Sequence, residues 1–461
     1  MESDHTARRD GWLLLTLAIV FSIVCFVLTD FRYTNTDTEN YIYAAEALLD
    51  NQEYPRVSVY NTINHLGVNY WLPFFRAPGY PMVIAGLWAI FGKSNTVLLL
   101  ANAVFHGFTV KCIYDFSRIV FRSRQIAVAT GLAVALNPFL LFGFVRSVST
   151  ECLQVLLVAI FVKNLFQVAV SPRISYKHAI FAGLCAGYGS LNRTSMLHIS
   201  FALTILFLAY AGYARSCLRA MSVQAAIVLT AAALVIAPWT ISNFVSGRGP
   251  FLINDPAGWS LWTGYHPGMM KIYEPIPENA KFYDYFYECV LRPYFDQVEI
   301  WRKTESWDTL TAADRQKLWK ASAYQIISED PYRSLKLTFF RFFDYWRPWL
   351  NPKAYGKVLY LSSFAIILPY FTLGLVTLFR FDWKQPGDNE RPPLATLFRM
   401  EILLLFMLST VPHLFTYSML RYRIPFIDPY LMMLTCFGAF RLYGRFVSRS
   451  AASVSEIPPI R

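Results

Sequence analysis

Long apolar runs alternate with short polar connections along this chain, and the runs are long enough to cross a bilayer. About 18 or more residues with few charges span the roughly 30 Å of a hydrocarbon core as helix. Such runs predict an all-α polytopic membrane protein of about ten transmembrane helices, at residues 11–28, 96–120, 126–145, 151–170, 178–192, 195–213, 221–241, 355–379, 398–415 and 424–440. The first run follows Arg8 and Arg9, is too long for a signal-peptide core and has no small-residue cleavage site after it, so an uncleaved first helix is expected. Continuous rather than alternating apolar runs argue against a β-barrel.

Two stretches break the pattern. Residues 29–95 are polar and aromatic, with an apolar piece from Tyr80 to Phe91 that is too short to span and is expected to lie in the interface. Residues 242–351 are rich in Tyr, Trp, Pro and charge, and read as a long, partly helical loop between the seventh and eighth helices. The chain then divides into an N-terminal bundle (1–241) carrying a catalytic first outer loop (29–95), a loop region (242–351), and C-terminal helices with a tail (352–461). The tail around Glu456-Ile457-Pro458-Pro459 is expected to be disordered.

Charge supplies the orientation. Basic residues collect in every second connection: Arg122 and Arg124; Arg173 and Lys177; Arg215 and Arg219; Arg380, Lys384, Arg391 and Arg399; then Arg441, Arg445 and Arg449. By the positive-inside rule these connections and both termini are cytoplasmic. The first loop, the 242–351 segment and the turns at 146–151, 192–194 and 417–423 then share the outer face. The formal net charge of +12 is scattered among apolar spans rather than gathered on one soluble face, which excludes nucleic acid and leaves topology and anionic lipid as its explanation. Seven cysteines without a CxxC pair or Cys/His spacing offer neither a metal site nor a disulfide framework. With no extra soluble domain, the chain fits a bacterial inner membrane.

The candidate chemistry lies on that outer face. Asp37 and Glu39 stand at the start of an expected helix over 38–50; Asp37 is either its N-cap or a base able to take a proton from an attacking hydroxyl. Arg76, in Arg76-Ala77-Pro78-Gly79-Tyr80-Pro81, either snorkels to headgroups or holds a phosphate bidentately. Arg193, Arg421 and Arg423 carry the same pair of readings, anchor or phosphate ligand. Glu151 opens a helix, where a carboxylate stabilises the dipole. His266 is a loop residue, a metal ligand or a contact to a phosphate. Lys111 and Asp115, four apart, are expected to pair.

Taken in order, these pieces resemble the C-type superfamily of membrane glycosyltransferases, in the branch of the protein O-mannosyltransferases and the lipid A aminoarabinose transferase. The resembling pieces are Asp37 with Tyr41, the Arg76–Pro81 run, Asn137-Pro138, Ser149-Thr150-Glu151, Asn192-Arg193, Pro238-Trp239, the Gly258–Pro267 run, Asp330-Pro331-Tyr332, and Arg421-Tyr422-Arg423-Ile424-Pro425. The resemblance implies an inverting transfer from a polyprenyl-phosphate sugar to a hydroxyl of a lipid, glycan or protein. Asp37 matches the base; Tyr41, Arg76, Tyr80, Glu151, Arg193, His266, Arg421 and Arg423 become donor-binding candidates. No metal or other cofactor is required, although a divalent cation is compatible with such chemistry. Many relatives carry a second carboxylate directly after the aspartate, where this chain has Thr38, with Glu39 one residue later. The competing functions are a polyprenyl-linked glycan flippase and an O-antigen polymerase. A flippase should show ionisable groups near the midplane, and the helix expected after Asp37 argues against the polymerase.

Overall fold

The computed structural model describes residues 2–30, 37–50, 53–55, 58–60, 70–72, 76–171, 173–254, 257–273, 285, 287–305, 307–350, 352–380, 394–416 and 420–455. Lys384, Arg391 and the 456–459 tail lie outside the described residues.

Helix α1 (Glu2–Leu28) packs along α4 (Asn95–Phe121). Between them come α2 (Thr38–Leu49), a two-stranded antiparallel hairpin of β1 (Ser58–Tyr60) and β2 (Tyr70–Leu72), and α3 (Gly79–Phe91). Then follow α5 (Arg124–Ala135), α6 (Thr150–Val170), α7 (Tyr176–Asn192), α8 (Ser195–Ala214) and α9 (Leu218–Val245). The loop region folds into α10 (Ala257–Tyr265), α11 (Gly268–Tyr273), α12 (Arg292–Thr304), α13 (Ala312–Glu329) and α14 (Pro331–Trp346). Helices α15 (Pro352–Arg380), α16 (Leu394–Phe415), the one-turn α17 (Leu420–Arg423) and α18 (Asp428–Ser455) complete the chain.

Eight helical segments among the described residues are long and apolar enough to cross a membrane, and the chain is an integral membrane protein. The remaining two expected spans are the 17-residue α7 and the arginine-bearing α18. The short apolar helix expected at 80–91 is α3. The third expected span is broken near its C-terminal end: Asn137 accepts from the backbone N–H groups of Phe139 and Leu140, Pro138 occupies the first turn, and Leu141–Val145 widen into a π-turn. That break lets the chain turn at 146–149. Asn102 of α4 holds the turn by donating to the carbonyls of Val145 and Ser147 at 3.1 and 2.8 Å. Lys111 and Asp115 pair at 2.7 Å, as their spacing predicts.

One large apolar core joins α1, α4, α6, α8, α16 and α18. A separate aromatic core, with Trp262, Tyr294, Trp301, Trp307 and Trp319, holds the loop region together.

Candidate active site

Five segments far apart in sequence converge at one end of the bundle, and each is held there by a specific contact. Helix α2 is fixed at its first residue, where the Thr38 hydroxyl donates to the Val148 carbonyl at 3.0 Å. The residue standing in place of a second carboxylate therefore ties α2 to the 146–149 turn that begins α6. Gly79 explains the next placement: a Cβ there would lie 2.5 Å from the backbone N of Asn192 and 2.7 Å from its Cα. Only glycine lets α3 start against the end of α7. Tyr188 of α7 reinforces the approach by donating to the Gly79 carbonyl at 2.8 Å. Asn192 then bonds the Thr150 carbonyl at 3.1 Å and Gln154 at 2.8 Å, locking α7 to α6.

These contacts assemble an ionic chain. Arg76 Nη2 donates to Asp37 Oδ1 at 2.8 Å, and Arg421 Nη2 donates to Asp37 Oδ2 at 3.0 Å. Arg421 Nε lies 3.8 Å from Glu151 Oε1, which also accepts from Arg193 Nη1 at 3.4 Å. Three guanidiniums against two carboxylates leave one positive charge, at the N-terminal ends of α2 and α6 where helix dipoles add to it. Asp37 occupies the N-cap position of α2, yet its side chain makes no capping bond. Its carboxylate faces the arginines instead, and the capping alternative falls away.

Aromatic rings brace the cations. The Arg76 guanidinium lies 5.4 Å from the centre of the Tyr41 ring, which meets Tyr80 edge-on at 5.4 Å. Burial pushes the Tyr41 phenol up to about 12 against the opposing pull of Arg76, so Tyr41 supports the cluster as a neutral ring. Tyr422, for which the sequence suggested no role, lies 4.4 Å from the Arg193 guanidinium and 5.3 Å from that of Arg421. Behind it, Tyr422 stacks on His413 at 5.0 Å, and His413 stacks on Tyr345 at 5.1 Å. Tyrosine between two arginines was the available signal, since a ring face offers cation–π contact.

Three sequence candidates lie elsewhere. Glu39 is exposed in the first turn of α2, where its charge favours the helix dipole, and it has no ion pair among the described residues. Arg423 is fully buried and engaged inside the bundle: its Nε and Nη2 form a fork on Asp428 at 2.8 and 2.9 Å, and Nη1 donates to the carbonyls of Arg347 and Tyr345 at 2.8 and 3.4 Å. Four of its five N–H donors are thereby taken by groups other than those of the Asp37 cluster. His266 holds its own turn, with Nδ1 accepting from the Gly268 N–H at 3.1 Å and the ring against Trp262 at 4.6 Å. Burial first, then the charges of Arg333 and Lys271, push His266 down to about 4, so it is neutral at physiological pH.

Residues 75–241 match the dolichyl-phosphate-mannose-protein mannosyltransferase family. That stretch holds Arg76, Tyr80, Glu151 and Arg193, and it supports the likeness to C-type glycosyltransferases drawn from the motifs. A search of curated proteins finds no match. Among solved structures, the crystal structure of ArnT from Cupriavidus metallidurans bound to undecaprenyl phosphate superposes on 93% of this chain and 77% of its own, with a TM-score of 0.42 and 12% identity.

Proposed function

We propose that the chain is an inverting glycosyltransferase that moves a sugar from a polyprenyl phosphate to an acceptor hydroxyl on the outer face of the membrane. The observation that carries this reading is the Arg76–Asp37–Arg421–Glu151–Arg193 chain, two carboxylates held among three guanidiniums, the five side chains coming from five segments. A phosphate leaving group needs charge stabilisation rather than a general acid as its bond to the anomeric carbon breaks. The acceptor hydroxyl needs a base, and a positioned carboxylate supplies one.

The geometry suggests how the two needs are linked. Both Asp37 oxygens now accept charge-assisted hydrogen bonds, which makes the carboxylate a weak base. A donor phosphate competes for the same guanidiniums. When Arg421 or Arg76 turns to the phosphate, Asp37 loses one charge-assisted hydrogen bond and becomes the better acceptor for the incoming hydroxyl's proton. The acceptor oxygen then bonds to the anomeric carbon, the carbon–phosphate oxygen bond breaks, and the arginines keep the charge of the departing polyprenyl phosphate. Glu151 holds Arg193 and Arg421 in range, and its buried Oε2, without a hydrogen-bond partner among the described residues, is a place for a donor hydroxyl.

Titrating purified protein with a polyprenyl phosphate, by intrinsic fluorescence, tests the phosphate site. Replacing Arg421→Met removes a charged contact worth about 1.5–3 kcal/mol, so affinity should fall about ten- to a hundred-fold. Unchanged affinity would return Arg421 to a structural anchor.

A further inference from the structure

Helix α14 sits in the loop region, where the sequence predicts no membrane segment, yet its two faces are inverted relative to a helix in water. Tyr332, Leu335, Phe339 and Phe343 are 78%, 69%, 59% and 53% exposed, while Ser334, Leu337, Arg341 and Tyr345 are buried. The exposed residues recur three and four apart and make one apolar stripe, with Phe342 beside it. The buried face carries Arg341, while Lys336 is exposed near the start of the helix. Arg341 donates to the Leu414 carbonyl at 2.7 Å and to the Gly264 carbonyl, which fixes α14 to the end of α16.

Contacts at the C-terminal end give its depth. The Trp346 ring lies 6.0 Å from Phe406 of α16 and 6.0 Å from Phe371 of α15. Phe406 precedes the outer end of α16 at Phe415 by nine residues, or about 13 Å of helix. Phe371 stands nine residues from the cytoplasmic end of α15 at Arg380, again about 13 Å. The end of α14 is thus deep within the height spanned by both helices, where a helix terminus has no water to satisfy its last carbonyls. Arg423 answers that need, donating to the carbonyls of Tyr345 at 3.4 Å and Arg347 at 2.8 Å. A cation at a helix C-terminus also complements the dipole. Asp428 neutralises this cation inside the bundle and accepts from Tyr370 at 2.6 Å.

We infer that α14 descends from the outer surface into the outer leaflet, with its Phe stripe against lipid chains and Arg423 capping its buried end. Lipid is the partner that fits, because α14 meets two spanning helices through Trp346, and below Tyr332 the stripe of Leu335, Phe339 and Phe343 carries no polar group. Near the top of the helix the exposed Lys336, 5.7 Å from the centre of the Phe340 ring, is placed to meet lipid phosphates. The loop region is therefore anchored in the bilayer beside the arginine cluster, rather than standing free above it.

Two measurements in proteoliposomes test this. Nitroxide labels at Leu335→Cys, Phe339→Cys and Phe343→Cys should show a ratio of oxygen to nickel-chelate accessibility that rises from 335 to 343. A label at Lys317→Cys, exposed on α13, should stay accessible to the chelate. Hydroxyl-radical footprinting of the unsubstituted chain should leave Phe339 and Phe343 protected while the exposed Tyr324 of α13 is oxidised. Chelate access at 343 equal to that at 317, or oxidation of Phe343 equal to that of Tyr324, would overturn the inference. So would protection that disappears when the protein is diluted into excess lipid, which would assign the stripe to a second copy of the chain.

Discussion

Arg423 and Arg421 are two residues apart on a one-turn helix, and the structure gives them different partners, Asp428 for the one and Asp37 with Glu151 for the other, so a double-mutant cycle on Arg423 and Asp428 is a demanding check. Arg423→Met leaves the buried Asp428 carboxylate unpaired, a change that typically costs about 3–5 kcal/mol. It also strips the Tyr345 and Arg347 carbonyls of their donor, at roughly 1–3 kcal/mol for a buried acceptor left bare. Asp428→Leu leaves the guanidinium unpaired at a similar cost. The double variant removes both charges together and should lose less than the sum, with a coupling on the order of 2–3 kcal/mol. An ordinary interhelical hydrogen bond in a membrane averages about 0.6 kcal/mol, so the two cases are separable. Thermal unfolding in detergent, followed through the 12 tryptophans, gives the stability ranking, and polyprenyl-phosphate titration of the same samples gives affinity. If Arg423→Met is as stable as the parent but binds the lipid phosphate tenfold more weakly, the capping role is wrong and Arg423 is a donor ligand after all.

Two further outcomes follow from particular contacts. Gly79→Ala drives a methyl into the Asn192 backbone and should cost about 1–3 kcal/mol in the same melts. Because it also shifts Arg76 against Arg193, transfer should fall by about a hundredfold; an active, stable Gly79→Ala enzyme would show that α3 is free to move. For His266 the sign is set by a folded value near 4 against about 6.5 in the unfolded chain. Between those values the unfolded chain binds the proton and the folded one does not, so stability present above pH 6.5 is lost as pH falls toward 4. His266→Asn should flatten that part of the melting profile; an unchanged profile would mean that other groups control it.

The spans were legible because hydrocarbon crossing demands long apolar runs, and the cluster because Asp37, Arg76, Glu151, Arg193 and Arg421 interrupt or flank those runs on one face. What separates Arg421 from Arg423 is not local. Asp428 selects Arg423 as its partner, and the carbonyls that Arg423 caps arrive from α14, more than seventy residues earlier. Thr38 was read as a missing carboxylate, whereas its hydroxyl bonds a turn more than a hundred residues away. Helix α14 escaped notice because its Phe-rich stripe alternates with Lys, Arg and Asp at helical spacing, and such a stripe has the same pattern whether it faces a core or lipid. Tyr422 was passed over as part of a motif, since only folding places Arg193 over its ring.

Sugar transfer by Asp37→Asn is the most direct measurement, made in proteoliposomes with a radiolabelled polyprenyl-phosphate sugar and the cognate acceptor, alongside Glu39→Gln. Loss of a positioned base should reduce the rate by about a hundred- to ten-thousandfold with the donor still bound, and the exposed Glu39 should be dispensable. Near-parental transfer by Asp37→Asn, or a loss confined to Glu39→Gln, would contradict the assignment of Asp37 as the base among these arginines.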